Sequence, residues 1–190
     1  MRLSRQDFLL RAVLSGGVAA AGPPLATALA KEGDGDIGVL NYALAFEHLS
    51  VVFYRDALRA GGLRSEVAEL ARTILQHEEQ HAAALARTVR NLGGTPVRPA
   101  RADFGNLAHE SRVLRVAQAL EDLGVSAYNG AATNIRSKDV LAAAGAIVQV
   151  EARHASAIRN LRGNPIAPAA FDQGLERAQV GRGIADLRTI

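Results

Sequence analysis

The chain has 190 residues, a length that suits one domain with a substantial apolar core. It contains no cysteine, which excludes disulfide frameworks, thiol nucleophiles, zinc knuckles and iron–sulfur clusters. The formal net charge is +3 and the first 30 residues supply +2 of it, so the remainder lacks the basic surface expected of a nucleic-acid-binding protein. Abundant alanine and an aromatic content of only 4% favour helices over a sheet.

Residues 1–30 have the features of an export signal peptide. Arg2 and Arg5 provide a basic start, and a short apolar stretch follows at residues 12–21. Ala28-Leu29-Ala30 fits the small-residue pattern of a cleavage site. The sequence therefore predicts an exported, periplasmic or extracellular protein whose mature domain spans residues 31–190.

The segment Ser4-Arg5-Gln6-Asp7-Phe8-Leu9 resembles a twin-arginine export signal, but Gln6 stands where the second arginine belongs. This departure leaves the export route open. An N-terminal amphipathic helix and an uncleaved membrane anchor are the alternatives. The apolar stretch is short and contains glycine, which argues against a membrane span.

The rest of the chain predicts an all-α fold, a four-helix bundle with a long crossover between the second and third helices and a short C-terminal helix. Glycine and proline cluster at residues 93–108, which marks the crossover, while the links near 61–64 and 134–136 are short enough to join antiparallel neighbours. The predicted helices run from Asp36, as N-cap, to Gly61-Gly62; from just after Ser65 to Gly93-Gly94; over 109–133; from Ser137, as N-cap, to Arg162; and from about Leu175.

Apolar residues spaced alternately by three and four define one buried face on each long helix. The predicted faces are Leu40, Leu44, Glu47, Val51, Tyr54 and Leu58; Val67, Leu70, Ile74, Glu78, His81, Leu85 and Leu92; Leu114, Ala117, Glu121, Gly124, Tyr128 and Ala131; and Val140, Ala144, Ile147, Glu151, His154, Ile158 and Leu161. Six of these residues are glutamate or histidine, and all six fall near the middle of their helices.

The two halves of the bundle repeat one pattern. Glu47 precedes Glu78 by 31 residues and Glu121 precedes Glu151 by 30, and each second glutamate opens a Glu-x-x-His sequence. The stretch 74–85 aligns without gaps on 147–158, with Ile, Gln, Glu, His and two Ala shared. This spacing indicates an internal duplication of a helix pair that carries the same polar residues twice.

Four glutamates at one level of a bundle core would repel each other and lose their hydration. Two divalent cations would balance the four negative charges, and two neutral imidazoles would complete the ligand set. The sequence therefore predicts a dinuclear metal site formed by Glu47, Glu78, His81, Glu121, Glu151 and His154. A single Glu-x-x-His, taken alone, is more often a solvated helix face.

Tyr54 and Tyr128 each lie seven residues after a candidate ligand. They are interpreted either as core-filling aromatics or as redox or hydrogen-bonding partners of the site. Three other histidines, His48, His77 and His109, fall off the buried faces and are interpreted as surface residues. Gln76 and Gln149 lie two residues before each Glu-x-x-His, where surface exposure is the simpler interpretation and support of the ligands is the alternative.

These ligand positions, together with the stretches Leu40–Tyr54 and Glu121–Tyr128, resemble the ferritin-like superfamily. Within it they are similar to a bacterial exported group related to plant desiccation-related proteins, over about residues 36–180. Bacterioferritins also carry a tyrosine at the position of Tyr54. The resemblance implies that Glu78 and Glu151 bridge the two metals and that Glu47 and Glu121 are terminal ligands.

The carboxylate and imidazole ligands suit two iron or manganese ions, with zinc as a substitute. Related sites in the superfamily have different activities, and the leading hypothesis is reaction with O₂ or H₂O₂ in ferroxidase-like or peroxide-removing chemistry. A non-catalytic metal-binding or desiccation-protective protein is the alternative, so the residues leave open whether the chain is an enzyme. No nucleic-acid partner is expected, a membrane contact is expected only through an uncleaved signal, and a homo-oligomer is possible. An iron-storing cage is the less favoured alternative, because nothing in the sequence identifies cage-forming surfaces.

Cleavage after Ala30 makes Lys31 the first residue of the exported protein. N-terminal sequencing of protein isolated from its native compartment checks this prediction. A cytoplasmic protein that retains Met1 would contradict it.

Overall fold

The computed structural model describes residues 35–190, so the predicted signal peptide and its cleavage site lie outside the described residues. Every regular element in this part of the chain is an α-helix, which confirms the predicted all-α bundle with its short C-terminal helix. The helices are α1 (Gly35–Ala60), α2 (Ser65–Asn91), α3 (Glu110–Ala132), α4 (Lys138–Leu161) and α5 (Arg177–Asp186).

The helix ends follow local sequence signals. Gly93 and Gly163 adopt φ angles of 80° and 69°, left-handed values that glycine takes without steric cost, just beyond α2 and α4. The amide of the next residue then donates back into the last turn, from Gly94 to Val89 at 2.8 Å and from Asn164 to Arg159 at 2.9 Å. The same termination at both sites agrees with the internal duplication.

Neighbouring helices in the bundle are antiparallel. The short links at 61–64 and 133–137 join α1 to α2 and α3 to α4, and α1 also packs against α3. The carboxylate of Asp36, at the start of α1, accepts hydrogen bonds from the amides of Arg136 and Ser137, just past the end of α3. This contact shows that α1 and α3 run in opposite directions.

The crossover between α2 and α3 occupies residues 92–109, as the glycine and proline cluster predicted. Asn41 of α1 holds it in place, because its side chain donates to the Thr95 carbonyl at 3.1 Å and accepts from the Val97 amide at 2.9 Å. The crossover therefore runs along the bundle surface and contains no helix between α2 and α3.

The apolar core is divided into two clusters along the bundle axis. One includes Phe53, Ile74, Leu114, Leu120 and Ile158, and the other includes Leu40, Leu44, Leu85, Val140 and Ile147. On α2 and α4 the candidate ligands fall between the residues of the two clusters, whereas on α1 and α3 residues of the first cluster lie on both sides of Glu47 and Glu121. A polar layer therefore crosses the middle of the core.

Two details of the predicted helices are wrong. Asp36 lies inside the first turn of α1, where its carboxylate binds the α3–α4 link instead of capping its own helix. Leu92 follows the end of α2 and its residue is 45% exposed, so it does not extend the buried face. The spacing of apolar residues along a helix does not locate its first and last residues, which explains both errors.

Helix α1 is long and apolar enough to pass a composition test for a membrane span. However, 78% of its most apolar 18-residue window is buried inside the bundle. Its apolar character is therefore accounted for by packing against the other helices.

The C-terminal tail packs on α3 through glycine. The amide of Leu175 donates to the Ser126 carbonyl at 2.9 Å, and a Cβ atom built on Gly130 would lie 2.8 Å from the carbonyl carbon of Leu175. Gly145 is also inside a helix, but its Cβ atom would meet nothing within 4 Å. The two glycines therefore share a backbone conformation and differ in their surroundings.

We expect Gly145→Ala to stabilise the fold by about 0.5–1 kcal/mol, because alanine is the better helix former. Gly130→Ala gains the same helix propensity but must displace the tail, so it should destabilise by about 1–3 kcal/mol. Urea unfolding of both variants checks the prediction. Equal stabilisation by the two substitutions would contradict the described tail packing.

Candidate metal centre

All six predicted ligands converge at mid-height of the bundle. The four glutamates are at most 1% exposed and His154 is 5% exposed. Their ligand atoms form two groups, each with all its atoms within 4.8 Å of one another, and Glu78 and Glu151 belong to both. The first group adds Glu47 and His81, and the second adds Glu121 and His154.

The first half of the cluster is arranged around Nδ1 of His81. This atom lies 3.1 Å from Oε1 of Glu151, 3.5 Å from Oε2 of Glu47 and 3.9 Å from Oε2 of Glu78. Helices α1, α2 and α4 thus each direct a carboxylate toward one imidazole nitrogen. Nδ1 points at none of these oxygens with hydrogen-bond geometry, although all three lie close to it.

The second half repeats this arrangement around Nδ1 of His154. Glu78 Oε1 lies 3.1 Å away and Glu121 Oε2 lies 3.3 Å away. Each histidine therefore faces the unshared glutamate of its own helix pair and a shared glutamate of the other pair. The duplicated sequence has produced two similar half-sites that meet at Glu78 and Glu151.

Several buried atoms of the cluster lack a hydrogen-bond partner among the described residues. They are Glu47 Oε2, both carboxylate oxygens of Glu78, His81 Nδ1 and Glu151 Oε1. An unsatisfied buried polar atom costs about 1–3 kcal/mol, and more when it is charged. Carboxylate oxygens and imidazole nitrogens that face one another without hydrogen bonds are the donor set that binds iron, manganese or zinc, so these residues fit a divalent metal pair.

The two shared carboxyls are electrostatically frustrated when no cation is bound. Burial raises the pKa of Glu78 well above its usual value, and the charges of Glu47 and Glu151 raise it further. Burial, followed by the charge of Glu47, likewise raises the pKa of Glu151 well above the usual range. Without metal, burial and the neighbouring carboxylates therefore favour the protonated form of both groups, whereas a bound cation would favour the ionised form.

The pKa of His81 is also raised, but here the bound proton makes the side chain charged. Burial alone would lower its pKa, but the carboxylates of Glu151 and Glu47 outweigh burial and raise it to about 10. Burial alone would raise the pKa of Glu47, but its contacts with His81 hold it below the usual value. In the metal-free protein, His81 is thus an imidazolium that partly replaces the missing positive charge.

Tyr54 and Tyr128 bind the two glutamates that are not shared. The Tyr54 hydroxyl donates to Oε1 of Glu121 at 2.5 Å, and the Tyr128 hydroxyl donates to Oε1 of Glu47. Both phenols are buried, and burial together with the nearby carboxylates raises their pKa well above 10. Each tyrosine is therefore a hydrogen-bond donor to a candidate ligand, and the interpretation of either as only a core-filling aromatic is wrong.

His77 is the residue whose role the sequence pattern missed. Its half-buried ring stacks on His154 at a centroid distance of 5.2 Å, and its Nδ1 lies 2.9 Å from Nε2 of His154. The interpretation of His77 as a surface residue is therefore wrong. The sequence signal that could have indicated this role is its position four residues before His81, which places both histidines on the same side of α2.

The other polar residues near the motif lie outside the cluster. His109, Gln76 and Gln149 are exposed, in agreement with the surface interpretation, whereas His48 is half-buried, so its interpretation as a surface residue is wrong. Gly124 was predicted only as an inward residue, but a Cβ atom there would lie 3.3 Å from Oε2 of Glu151. Glycine at this position thus leaves the carboxylate of Glu151 uncrowded.

A family profile described as the ferritin-like domain matches residues 35–164, which include all four long helices and every member of the cluster. The chain belongs to this family. A search of curated proteins gave no match. As a ferritin-like domain, the chain carries a carboxylate–histidine cluster compatible with metal binding in the centre of its bundle.

The raised pKa values predict how the stability of the metal-free ferritin-like domain changes with pH. His81 binds a proton more tightly in the folded chain, with a pKa of about 10 against 6.5, so its contribution is complete below pH 6.5 and lost as the pH rises to 10. The raised pKa values of Glu78 and Glu151 act in the same direction above 4.5. His48 and His77, whose pKa values are lowered, oppose this only below about pH 6.5.

We therefore expect the free energy of unfolding to fall between pH 7 and pH 9 in the presence of a chelator. Glu78→Gln removes one of the crowded charges and should raise stability at pH 9 by on the order of 1–2 kcal/mol. Glu79→Gln, the exposed neighbour that pairs with Arg55, is the matched control. If Glu78→Gln destabilises the metal-free protein at pH 9 more than Glu79→Gln does, the buried glutamates are structural hydrogen-bonding groups.

Proposed function

We propose that the chain binds two divalent metal ions, with Glu78 and Glu151 as bridging ligands, Glu47 and His81 completing one ion's shell, and Glu121 and His154 completing the other's. We further propose that this centre reacts with O₂ or H₂O₂, either as a ferroxidase-like oxidant of Fe²⁺ or in removing peroxide. The observation that carries the proposal is the pair of overlapping ligand groups that share Glu78 and Glu151.

Charge balance supports two ions. Four ionised carboxylates and two neutral imidazoles carry a charge of −4, which two divalent cations neutralise. A single divalent cation would leave two buried charges uncompensated, each at a cost of several kcal/mol. Burial and the charge of neighbouring carboxylates raise the pKa of Glu78 and Glu151, which supports a site that cations complete.

The ligand chemistry favours iron or manganese, with zinc as a substitute. Carboxylates and imidazoles suit all three, and the chain has no thiolate that would select zinc or copper(I). Bound iron or manganese would supply the electrons that reduce the oxidant. The cluster is shielded from bulk water, since its four glutamates are each at most 1% exposed.

The tyrosines adjust the charge on the terminal ligands. A phenol that donates to Glu121 or Glu47 withdraws negative charge from the carboxylate oxygen that it contacts, and it leaves the second oxygen available for metal. The same hydroxyls are the nearest protein protons to the outer carboxylates. Tyr54 and Tyr128 are therefore the candidate proton or electron donors of the site.

The exported, desiccation-related subgroup remains part of the proposal. The predicted signal peptide, with Lys31 as the mature terminus, supports a periplasmic or extracellular location. Outside the cytoplasm, such a centre would meet iron, manganese or peroxide before they enter the cell. Resemblance to desiccation-related proteins supports a role under stress.

A non-catalytic role is favoured by one observation. The cluster is nearly closed, because the four glutamates are at most 1% exposed and the side chain of His81 is only 13% exposed. A closed site suits an ion that holds four helices together. In that case metal should stabilise the fold without turnover of Fe²⁺ or H₂O₂.

Metal stoichiometry of purified variants tests the site. We expect two ions of Mn²⁺ or Fe²⁺ per wild-type chain, and none retained tightly by Glu78→Ala or Glu151→Ala, because a bridging carboxylate serves both ions. His81→Ala or His154→Ala should weaken mainly one ion. Wild-type stability should rise by about 2.7 kcal/mol per site at a free-metal concentration 100-fold above Kd.

Glu79→Ala, which removes an exposed carboxylate next to Glu78, should leave both ions bound and is the matched control. Binding of less than one ion by the wild type would contradict the metal site. Oxidation of Fe²⁺ in air and consumption of H₂O₂ by the two-metal protein then separate the functions. A protein that binds two ions and turns over neither substrate has the structural role.

A further inference from the structure

The internal duplication allows each residue near one half-site to be compared with its counterpart near the other. Residue 77 aligns with 150, Glu78 with Glu151 and His81 with His154. His77 on α2 contacts His154 on α4, so the equivalent contact would join residue 150 on α4 to His81 on α2. Position 150 is valine, which can neither donate nor accept this hydrogen bond.

The two candidate histidine ligands therefore have different support. Nε2 of His154 has Nδ1 of His77 at 2.9 Å, and the two rings lie within 13° of parallel. Among the described residues, the polar contacts of His81 involve only its Nδ1 atom, although its ring also lies beside that of His154 at a centroid distance of 6.3 Å. His81 is also the more exposed of the two, with 13% of its side chain accessible against 6% for His154.

This difference matters because the carboxylates surround Nδ1 in both histidines. A metal on Nδ1 of His154 requires the proton of the neutral ring to be on Nε2. With metal on Nδ1 of His154, Nδ1 of His77 would accept that proton, so the contact would stabilise the ligating tautomer and fix the ring orientation. His81 must fix its tautomer and orientation through the solvent-facing side of its ring.

The geometry points to His77 as a positioning residue that makes the two metal positions unequal. The ion held by Glu121 and His154 is bound more tightly, and the ion held by Glu47 and His81 is the exchangeable one. This inference rests on the proposed two-metal function and adds an order of loading to it. A site that retains one ion while it exchanges the other would suit the delivery and release of Fe²⁺ as a substrate.

The test is calorimetric titration of the full mature chain with Co²⁺ alone, followed by the visible absorption of bound Co²⁺. Glu47→Gln and Glu121→Gln serve as backgrounds, since each weakens one half-site and leaves the other to be measured. In the Glu47→Gln background, His77→Val should weaken Co²⁺ binding about 10–100-fold, the usual effect of removing a partner of a metal-ligating histidine. In the Glu121→Gln background, the same change should alter Kd less than about threefold.

Two further variants separate positioning from packing. His77→Gln keeps a hydrogen-bond acceptor and should recover most of the affinity that His77→Val loses. Val150→His supplies the missing counterpart and should tighten the His81 half-site in the Glu121→Gln background. The metal-free melting temperatures of His77→Val and His77→Gln should agree, because the two side chains have similar volume and occupy a half-exposed position.

If His77→Val weakens Co²⁺ binding equally at both half-sites, or at neither, the inference is overturned. The proposed function still stands in that case, provided that the wild type binds two ions. Failure of His77→Gln to recover affinity would also overturn it. If the wild type binds no Co²⁺, Mn²⁺ or Fe²⁺, the proposed function fails and the inference fails with it.

Discussion

The structure depends on the burial of four carboxylates at one level of a four-helix core. Each of Glu47, Glu78, Glu121 and Glu151 is at most 1% exposed, and apolar clusters lie on both sides of them along the bundle axis. Hydrophobic packing of those clusters forces the polar layer out of water. The chain's own residues offset this burial in part, through an imidazolium at His81, raised pKa values at two carboxyls and two tyrosine hydrogen bonds. Several carboxylate oxygens are still left without a hydrogen-bond partner among the described residues.

The antiparallel arrangement of α1 and α3 explains why the tyrosines reach across the bundle. Each tyrosine follows a glutamate by seven residues on its own helix, so on antiparallel helices each hydroxyl meets the other helix's glutamate. The reciprocal pair thus follows from duplication and helix direction. His77 breaks the same symmetry, because valine occupies the corresponding position 150. A duplicated bundle can therefore specialise one half-site by a single substitution outside the ligand set.

Much of this architecture could be predicted from the sequence, because buried faces repeat at helical spacing and the ligands repeat with the duplicated pair. Glycines at 93 and 163 ended the helices where expected, and the crossover fell where glycine and proline cluster. Periodicity gives no information on contacts between helices. It therefore missed the contact of His77 with His154, the shift of Asp36 from helix cap to a link between helices, and the direction in which each tyrosine hydroxyl points.

The central claim is that Glu78 and Glu151 lie between two metal ions. Anomalous diffraction from crystals of the mature protein loaded with Mn²⁺ or Fe²⁺ tests it most directly. We predict two anomalous peaks about 3–4 Å apart at mid-height of the bundle, with carboxylate oxygens of Glu78 and Glu151 within about 2.0–2.3 Å of both. A single peak with Glu78 or Glu151 outside its shell, or peaks only at the protein surface, would contradict the account.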